Sequence, residues 1–167
     1  MKALSRLADR IDAFAPAGSA PPQQLWPFFR WCLSGAWGGL WLAAFASSLA
    51  GTMEVMSALI LGWVIDSALA TGAGTYFSAH APLLGSFLLF YLVLRPLAFA
   101  GSSAMSSVLV GSNLLPLVLA RLHRWTLGQP VTFFDNDFAG RIAHKQMQAA
   151  RAVTDVATEI INTGFFP

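Results

Sequence analysis

Charged residues are almost absent from one long stretch of the chain. Between positions 31 and 120 only Glu54, Asp66 and Arg95 carry a charge, although the whole chain has 10 Lys and Arg and 8 Asp and Glu residues. Such a stretch cannot supply the polar surface of a soluble domain, because too few of its side chains favour contact with water. The pattern therefore predicts an all-α integral membrane protein.

Two apolar segments within this stretch are long enough to cross a bilayer. A helix rises about 1.5 Å per residue, and the hydrocarbon core is about 30 Å thick. We predict a first span over 32–66, an outer loop over 70–82, and a second span with a cytoplasmic extension over 83–127. The first span is longer than a bilayer requires, so it tilts or projects beyond the lipid. The two spans form an antiparallel hairpin.

The flanking segments predict further elements. Residues 1–22 are predicted to form a cytoplasmic tail, and the aromatic-rich segment 23–31 an interfacial elbow helix.

A loop over 128–140 follows the second span, because Gly128 and Pro130 are typical of the end of a helix. Within this loop, Thr132 and Asp135 have the spacing of a capping box, which predicts a short helix. An amphipathic third helix follows over 140–163. Its predicted apolar stripe is Ile142, Ala149, Val153, Val156 and Ile160.

The distribution of positive charge predicts the orientation in the membrane. Four Lys and Arg residues precede the first span, the outer loop has none, and five lie from Arg121 onward. Cytoplasmic loops carry the excess of positive charge, so both termini are expected in the cytoplasm.

Composition excludes several classes of function. The net charge of +2 comes with 11% charged residues, and the basic residues flank apolar spans, which excludes a nucleic-acid surface. Cys32 is the single cysteine, so an intrachain disulfide is impossible. Nucleotide-binding, hydrolase and metalloprotease motifs do not occur in the sequence. We therefore predict that this chain is not an enzyme and carries no catalytic, cofactor-binding or metal site.

Glu54 and Arg95 are the charged residues that fall deepest within the two spans. They lie at similar distances from the outer loop, so an antiparallel hairpin places them at the same depth. Two charges in lipid cost several kcal/mol each unless they pair or face water. We predict an intramembrane ion pair, which either fixes the register of the helices or lines a cavity.

Small residues and a proline predict how the spans pack and bend. Gly35 and Gly39, and the run Ala98, Ser102 and Ser106, have the four-residue spacing that lets membrane helices approach closely. Pro96 lacks a backbone donor and crowds the preceding turn, so it is expected to distort the second helix, as a simple kink or as a hinge.

Residues 127–143 resemble the first intracellular loop of ATP-binding cassette (ABC) exporters. Pro130, Phe133, Phe134, Asp135 and Gly140 fill the positions of that family's segment, and the string from Asn136 to Ala143 is similar to a bacterial subgroup of multidrug and lipid exporters. The resemblance implies a coupling helix that docks on a nucleotide-binding domain. Its residues here are Phe133, Phe134, Asp135, Asn136, Asp137, Phe138 and Gly140. The third helix departs from the family pattern, since Ala149 stands where many members have an acid.

The resemblance also implies the fold, the partners and the location. Residues 23–167 correspond to part of a type-1 exporter transmembrane domain in the bacterial inner membrane, which would line a substrate pathway. The implied partners are membrane lipid, a nucleotide-binding domain and a second exporter half, in a homo- or heterodimer. ATP and Mg would bind to the nucleotide-binding domain and not to this chain, which is expected to be an incomplete piece and inactive alone. The alternative is a self-contained two-span scaffold or adaptor that binds a cytoplasmic partner through its Phe-rich loop.

Overall fold

The described part of the chain is helical. A computed structural model describes residues 11–71, 76, 80–135 and 139–164. Its elements are α1 (Leu25–Cys32), α2 (Trp37–Thr71), α3 (Ala81–Leu127), α4 (Val131–Asp135) and α5 (Ala139–Gly164). No strand occurs among these residues, so the all-α prediction is confirmed for the part of the chain that the structure describes.

Helices α2 and α3 form an antiparallel hairpin whose register is marked by polar and aromatic pairs. Ser47 Oγ lies 3.2 Å from Ser102 Oγ, and Tyr91 donates a hydrogen bond of 2.6 Å to the Ser57 carbonyl oxygen. The ring of Trp63 packs edge-on against Phe87, with 5.7 Å between centroids. In these pairs the residue number rises along α2 while it falls along α3, as expected for antiparallel helices in one register.

Helix α3 is continuous but contains two π-helical turns. The first, Phe90–Leu94, directly precedes Arg95 and Pro96. Proline at position 96 has no N–H for the carbonyl of residue 92, and π-turns are a recognised way to absorb such a gap. The predicted distortion at Pro96 is therefore confirmed. A second π-turn, Met105–Gly111, precedes Pro116 and was not predicted from the sequence.

Two helices have the length and composition of membrane spans. Trp37–Ala70 has 34 residues and Ala81–Leu127 has 47. In the most apolar 18-residue stretch of the first helix 17% of the residues are buried, and in that of the second helix none are. A core helix of a soluble protein would be mostly buried, whereas these apolar side chains face outward. The exposed apolar surface of these two long helices suggests a membrane protein.

The buried core lies at one end of the hairpin. Helix α1, the start of α2, the second half of α3 and helix α5 meet there, around Cys32, Leu109, Leu114 and Val118. Part of the predicted N-terminal tail belongs to this core: Ile11 is buried, and the Ser19 carbonyl oxygen accepts a 3.0 Å hydrogen bond from Trp31 Nε1. Residues 1–10 lie outside the described part of the chain.

The predicted first span over 32–66 starts too early. Helix α1 ends at Cys32, residues 33–36 form a turn, and α2 begins at Trp37. Gly35 in this turn has φ of +81°, and Ala36 N–H donates to the Leu33 carbonyl oxygen at 3.0 Å. Since Gly35 lies outside α2, the prediction that Gly35 and Gly39 form one helical packing motif is wrong.

The predicted apolar stripe on the third helix is partly wrong. The buried positions on α5 are Ala150, Val153, Ala157 and Ile161, whereas Val156 and Ile160 are about half exposed. The helix presents its small alanines to α3, because small side chains let two helices approach closely. Only Val153 of the predicted stripe is fully buried; Ile142 and Ala149 are half-buried.

Candidate functional site: coupling segment, ion pair and arginine clamp

The short helix α4 caps the far end of α3. Helix α3 ends at Leu127, and Gly128 N–H donates to the Trp125 carbonyl oxygen at 3.2 Å. Helix α4 starts at Val131, and Phe133 N–H donates to the Pro130 carbonyl oxygen at 2.9 Å. Thr132 therefore lies inside the helix and is not its N-cap, so the predicted capping box starts two residues too late.

Aromatic contacts hold α4 against α3. The rings of Trp125 and Phe133 meet edge to face with 6.1 Å between centroids, and Phe133 and Phe134 do so at 5.3 Å. Phe133 keeps 38% of its surface exposed, Phe134 is half-buried, and Val131 is 77% exposed. Val131 is thus the most exposed apolar side chain of α4. Phe133 both packs on Trp125 and contributes to the exposed surface.

A hydrogen bond joins the helices on the two sides of the coupling segment. Gln146 on α5 donates to Thr126 Oγ1 on α3 at 2.6 Å, and this hydroxyl donates to the Leu122 carbonyl oxygen at 2.9 Å. This partly buried polar contact joins α3 and α5 next to the segment that connects them.

The remaining predicted coupling residues are only partly described. Gly140 is exposed at the start of α5, and a Cβ added there would meet nothing within 4 Å. Asn136, Asp137 and Phe138 lie outside the described residues, as does the side chain of Asp135. Of the predicted coupling residues, the structure therefore describes Phe133, Phe134 and Gly140 fully and Asp135 by its backbone.

The structure places Glu54 and Arg95 in direct contact between α2 and α3. Arg95 Nη2 donates to Glu54 Oε2 at 2.6 Å, and Arg95 Nε donates to the same oxygen at 3.2 Å. The guanidinium carbon also lies 5.6 Å from the centroid of the Phe99 ring. The side chains keep 34% and 45% of their surfaces exposed in the isolated chain, so the pair lies at the edge of the hairpin, where it can face another element.

Sequence analysis missed Arg121, which is the most extensively bonded side chain in the described structure. It lies on α3, is 4% exposed, and was read only as a marker of the cytoplasmic side. Its Nη1 donates to the carbonyl oxygens of Trp31 and Cys32 at 2.9 and 3.0 Å and to Ser34 Oγ at 2.9 Å. The guanidinium thus satisfies carbonyls at the end of α1, where helices leave such groups unpaired.

The same guanidinium reaches two further segments. Arg121 Nη2 donates to the Ser34 carbonyl oxygen at 2.7 Å, and Nε donates to the Ala15 carbonyl oxygen at 3.0 Å. One side chain therefore ties the N-terminal segment, the elbow helix α1 and the turn before α2 to helix α3. We call these contacts the arginine clamp.

Cys32 lies against this clamp and is fully buried. Burial raises the pKa of the Cys32 thiol to about 12, and the nearby Arg121 only partly opposes this effect. The thiol is therefore protonated at neutral pH and is a structural group. No cluster of three or more possible metal ligands occurs among the described residues.

Comparison with known proteins gives one distant relative and no match to a protein-family model or to a solved structure. The chain is 26% identical over 163 residues to an "Uncharacterized ABC transporter ATP-binding protein" from Haemophilus influenzae. The matched region covers 96% of this chain and 26% of the relative, so the chain spans about a quarter of that protein's length. The similarity relates the chain distantly to ABC transport.

Proposed function

We propose that the chain forms the N-terminal part of the transmembrane domain of an ABC exporter, in the inner membrane, and transmits motion between a nucleotide-binding domain and the membrane. In an intact transporter, α2 and α3 would line part of the substrate pathway. Both termini would lie in the cytoplasm, as the distribution of Lys and Arg predicts. The ATP and Mg would be held by the nucleotide-binding domain.

The observation that carries the proposal is the position of α4. Helix α3 has 47 residues and is therefore about 70 Å long, more than twice the thickness of the hydrocarbon core. At its far end α4 presents an exposed apolar side chain, Val131, on a base fixed by Trp125 and Phe133. An apolar group held rigidly at the end of a long helix is suited to dock on a partner domain.

The distant relative supports the same proposal. Its name describes an ABC transporter ATP-binding protein, and its similarity to this chain extends over almost the entire chain. The resemblance of residues 127–143 to the first intracellular loop of exporters falls on the segment that contains α4. A self-contained adaptor would use the same exposed surface, but for a partner without an ATP-binding fold.

Cross-linking tests which partner α4 contacts. In membranes that contain the native complex, a Val131→Cys variant treated with a short bifunctional thiol reagent is expected to link to a nucleotide-binding domain, with a yield that changes when Mg-ATP is added. The control is Leu69→Cys, which is 80% exposed at the other end of the hairpin. Native Cys32 does not interfere, because it is buried and protonated. Absence of a link from position 131 to an ATP-binding domain, or equal links from both positions, would contradict the proposal.

A further inference from the structure

A cavity of about 210 Å³ lies where the N-terminal segment crosses the ends of α1 and α3. Two arginines and two tryptophans from these elements contribute to its wall. The lining residues are Ala17, Ser19, Trp31, Arg121, Arg124 and Trp125. The hydrogen bond from Trp31 Nε1 to the Ser19 carbonyl oxygen fixes one side of the wall, so the cavity is built by tertiary contacts.

The cavity combines two positive charges, neither of which is in direct contact with a carboxylate in the described structure. Among the residues that the structure describes, neither Arg121 nor Arg124 forms an ion pair with an Asp or Glu side chain. The acceptors around Arg121 are neutral carbonyl and hydroxyl oxygens, although this guanidinium is almost completely buried. Asp12 acts on Arg121 electrostatically, but its effect is smaller than that of burial and it forms no ion pair with the guanidinium. Two arginines against one such carboxylate leave the site net positive, which favours a negatively charged occupant.

Arg124 retains donors that can reach such an occupant. Its Nη1 and Nη2 both point to the Phe14 carbonyl oxygen, at 3.4 and 3.3 Å, which is long for an N–H···O bond. A guanidinium has five N–H donors, so most of those on Arg124 have no protein acceptor within the described structure. The planar fork of arginine matches the oxygen atoms of a phosphate group.

We propose that this cavity binds a phosphate group, either as free phosphate or in the headgroup of an anionic membrane lipid. Arg121 neutralises the charge from the buried side of the cavity, and Arg124 donates hydrogen bonds from the open side. Basic pockets between membrane helices bind the phosphate groups of anionic lipids. The bound phosphate would strengthen the attachment of the N-terminal segment and α1 to α3.

Titration of the full chain in an uncharged detergent tests the site. Short-chain phosphatidylglycerol and inorganic phosphate are the two probes, and isothermal calorimetry measures their dissociation constants. Arg124→Gln is expected to weaken phosphatidylglycerol binding about tenfold or more, because it removes a charged hydrogen-bond donor. Arg30→Gln removes the same charge from an exposed position on α1 outside the cavity, and is expected to change binding less than about twofold.

A second variant separates the cavity from general surface charge. Ser19→Trp keeps both arginines and the Ser19 carbonyl but fills the cavity, so it is expected to reduce binding as strongly as Arg124→Gln. Binding of phosphatidylglycerol alone identifies a lipid headgroup as the source of the phosphate, and binding of both probes identifies a site open to either source. Absence of binding by both probes would overturn the proposal. So would equal effects of Arg124→Gln and Arg30→Gln, or unchanged binding by Ser19→Trp.

Discussion

Two arginines on α3 join this helix to other parts of the described structure, one at the buried core and one about midway along the hairpin. Arg121 binds carbonyl oxygens from three segments at the core end, and Arg95 binds Glu54 between α2 and α3. Counting residues from the outer loop was sufficient to predict the second contact. The first was missed, because a lone arginine at the end of an apolar helix ordinarily marks the membrane boundary.

The thiol of Cys32 provides a test at the residue scale. A pKa raised from 9.0 to about 12 makes the thiolate fraction at pH 8 roughly a thousandfold smaller than in the unfolded chain. We expect maleimide to label unfolded chain readily at pH 8 and folded chain very slowly. Labelling followed by mass spectrometry, with and without denaturant, measures the difference, and equal rates would show that Cys32 is accessible.

The same raised pKa predicts how stability depends on pH. The folded state holds the thiol proton more tightly than the unfolded state, so the contribution of Cys32 to stability is complete below about pH 9. It is lost as the pH rises from about 9 towards 12. A Cys32→Ala variant is expected to lack this part of the alkaline loss of stability.

The pair of Glu54 and Arg95 predicts energetic coupling. Because the two side chains share hydrogen bonds of 2.6 and 3.2 Å, the destabilisation by Glu54→Gln and by Arg95→Gln should not add in the double variant. We expect a coupling energy of about 1 kcal/mol, measured by unfolding in detergent. Simple additivity would show that the contact contributes nothing to joining the helices.

At the scale of elements, the hydrophobic pattern predicted where helices form better than which faces they bury. The spans and the third helix follow from long apolar or amphipathic runs. The buried face of α5 was misjudged because Val156 and Ile160 are more apolar than Ala150 and Ala157, although the alanines are the residues that pack on α3. In a membrane protein a large apolar side chain is as stable in lipid as in a core, so hydrophobicity alone does not identify the packed face.

Local backbone chemistry explains the other differences at this scale. Pro96 predicted a distortion of α3, and a π-turn precedes it, whereas nothing in the residues Met105 to Gly111 signals the second π-turn. The four-residue spacing of Gly35 and Gly39 predicted helix packing, but Gly35 instead supplies the positive φ of the turn between α1 and α2. Spacing alone does not distinguish a glycine inside a helix from one that ends it.

Alanine substitutions at two nearby glycines, one in the turn between α1 and α2 and one in α2, are expected to change the stability in opposite directions. Gly35→Ala places a Cβ at φ of +81° and is expected to destabilise the protein by about 1 kcal/mol. Gly38 lies within α2, and a Cβ there would meet nothing within 4 Å, so Gly38→Ala is expected to stabilise by about 0.5–1 kcal/mol. Thermal unfolding of both variants checks the assignment, and a neutral Gly35→Ala would contradict the turn.

At the scale of the whole molecule, the described helices form a hairpin whose buried hydrophobic cluster lies at one end. Helices α1 and α5 pack on α3 there, while most large apolar side chains of the rest of α2 and α3 are exposed, among them Trp41, Leu69, Leu83 and Leu97. This surface fits lipid and further membrane helices. The chain spans about a quarter of the length of its relative. Under the proposed function, further membrane helices of a transporter would pack on this surface.

The ATPase activity of the native membrane complex tests most directly our proposal that α4 couples this hairpin to ATP hydrolysis. We expect the isolated chain to hydrolyse no ATP and the complex to hydrolyse Mg-ATP. A Val131→Asp variant keeps a helix-compatible residue in the first turn of α4 but places a charge on its exposed apolar surface. It is expected to lower the activity of the complex about fivefold or more, whereas Ala152→Asp, at an exposed position on α5, leaves it within about twofold. A complex without Mg-ATP hydrolysis, or one that Val131→Asp leaves unchanged, would contradict the claim.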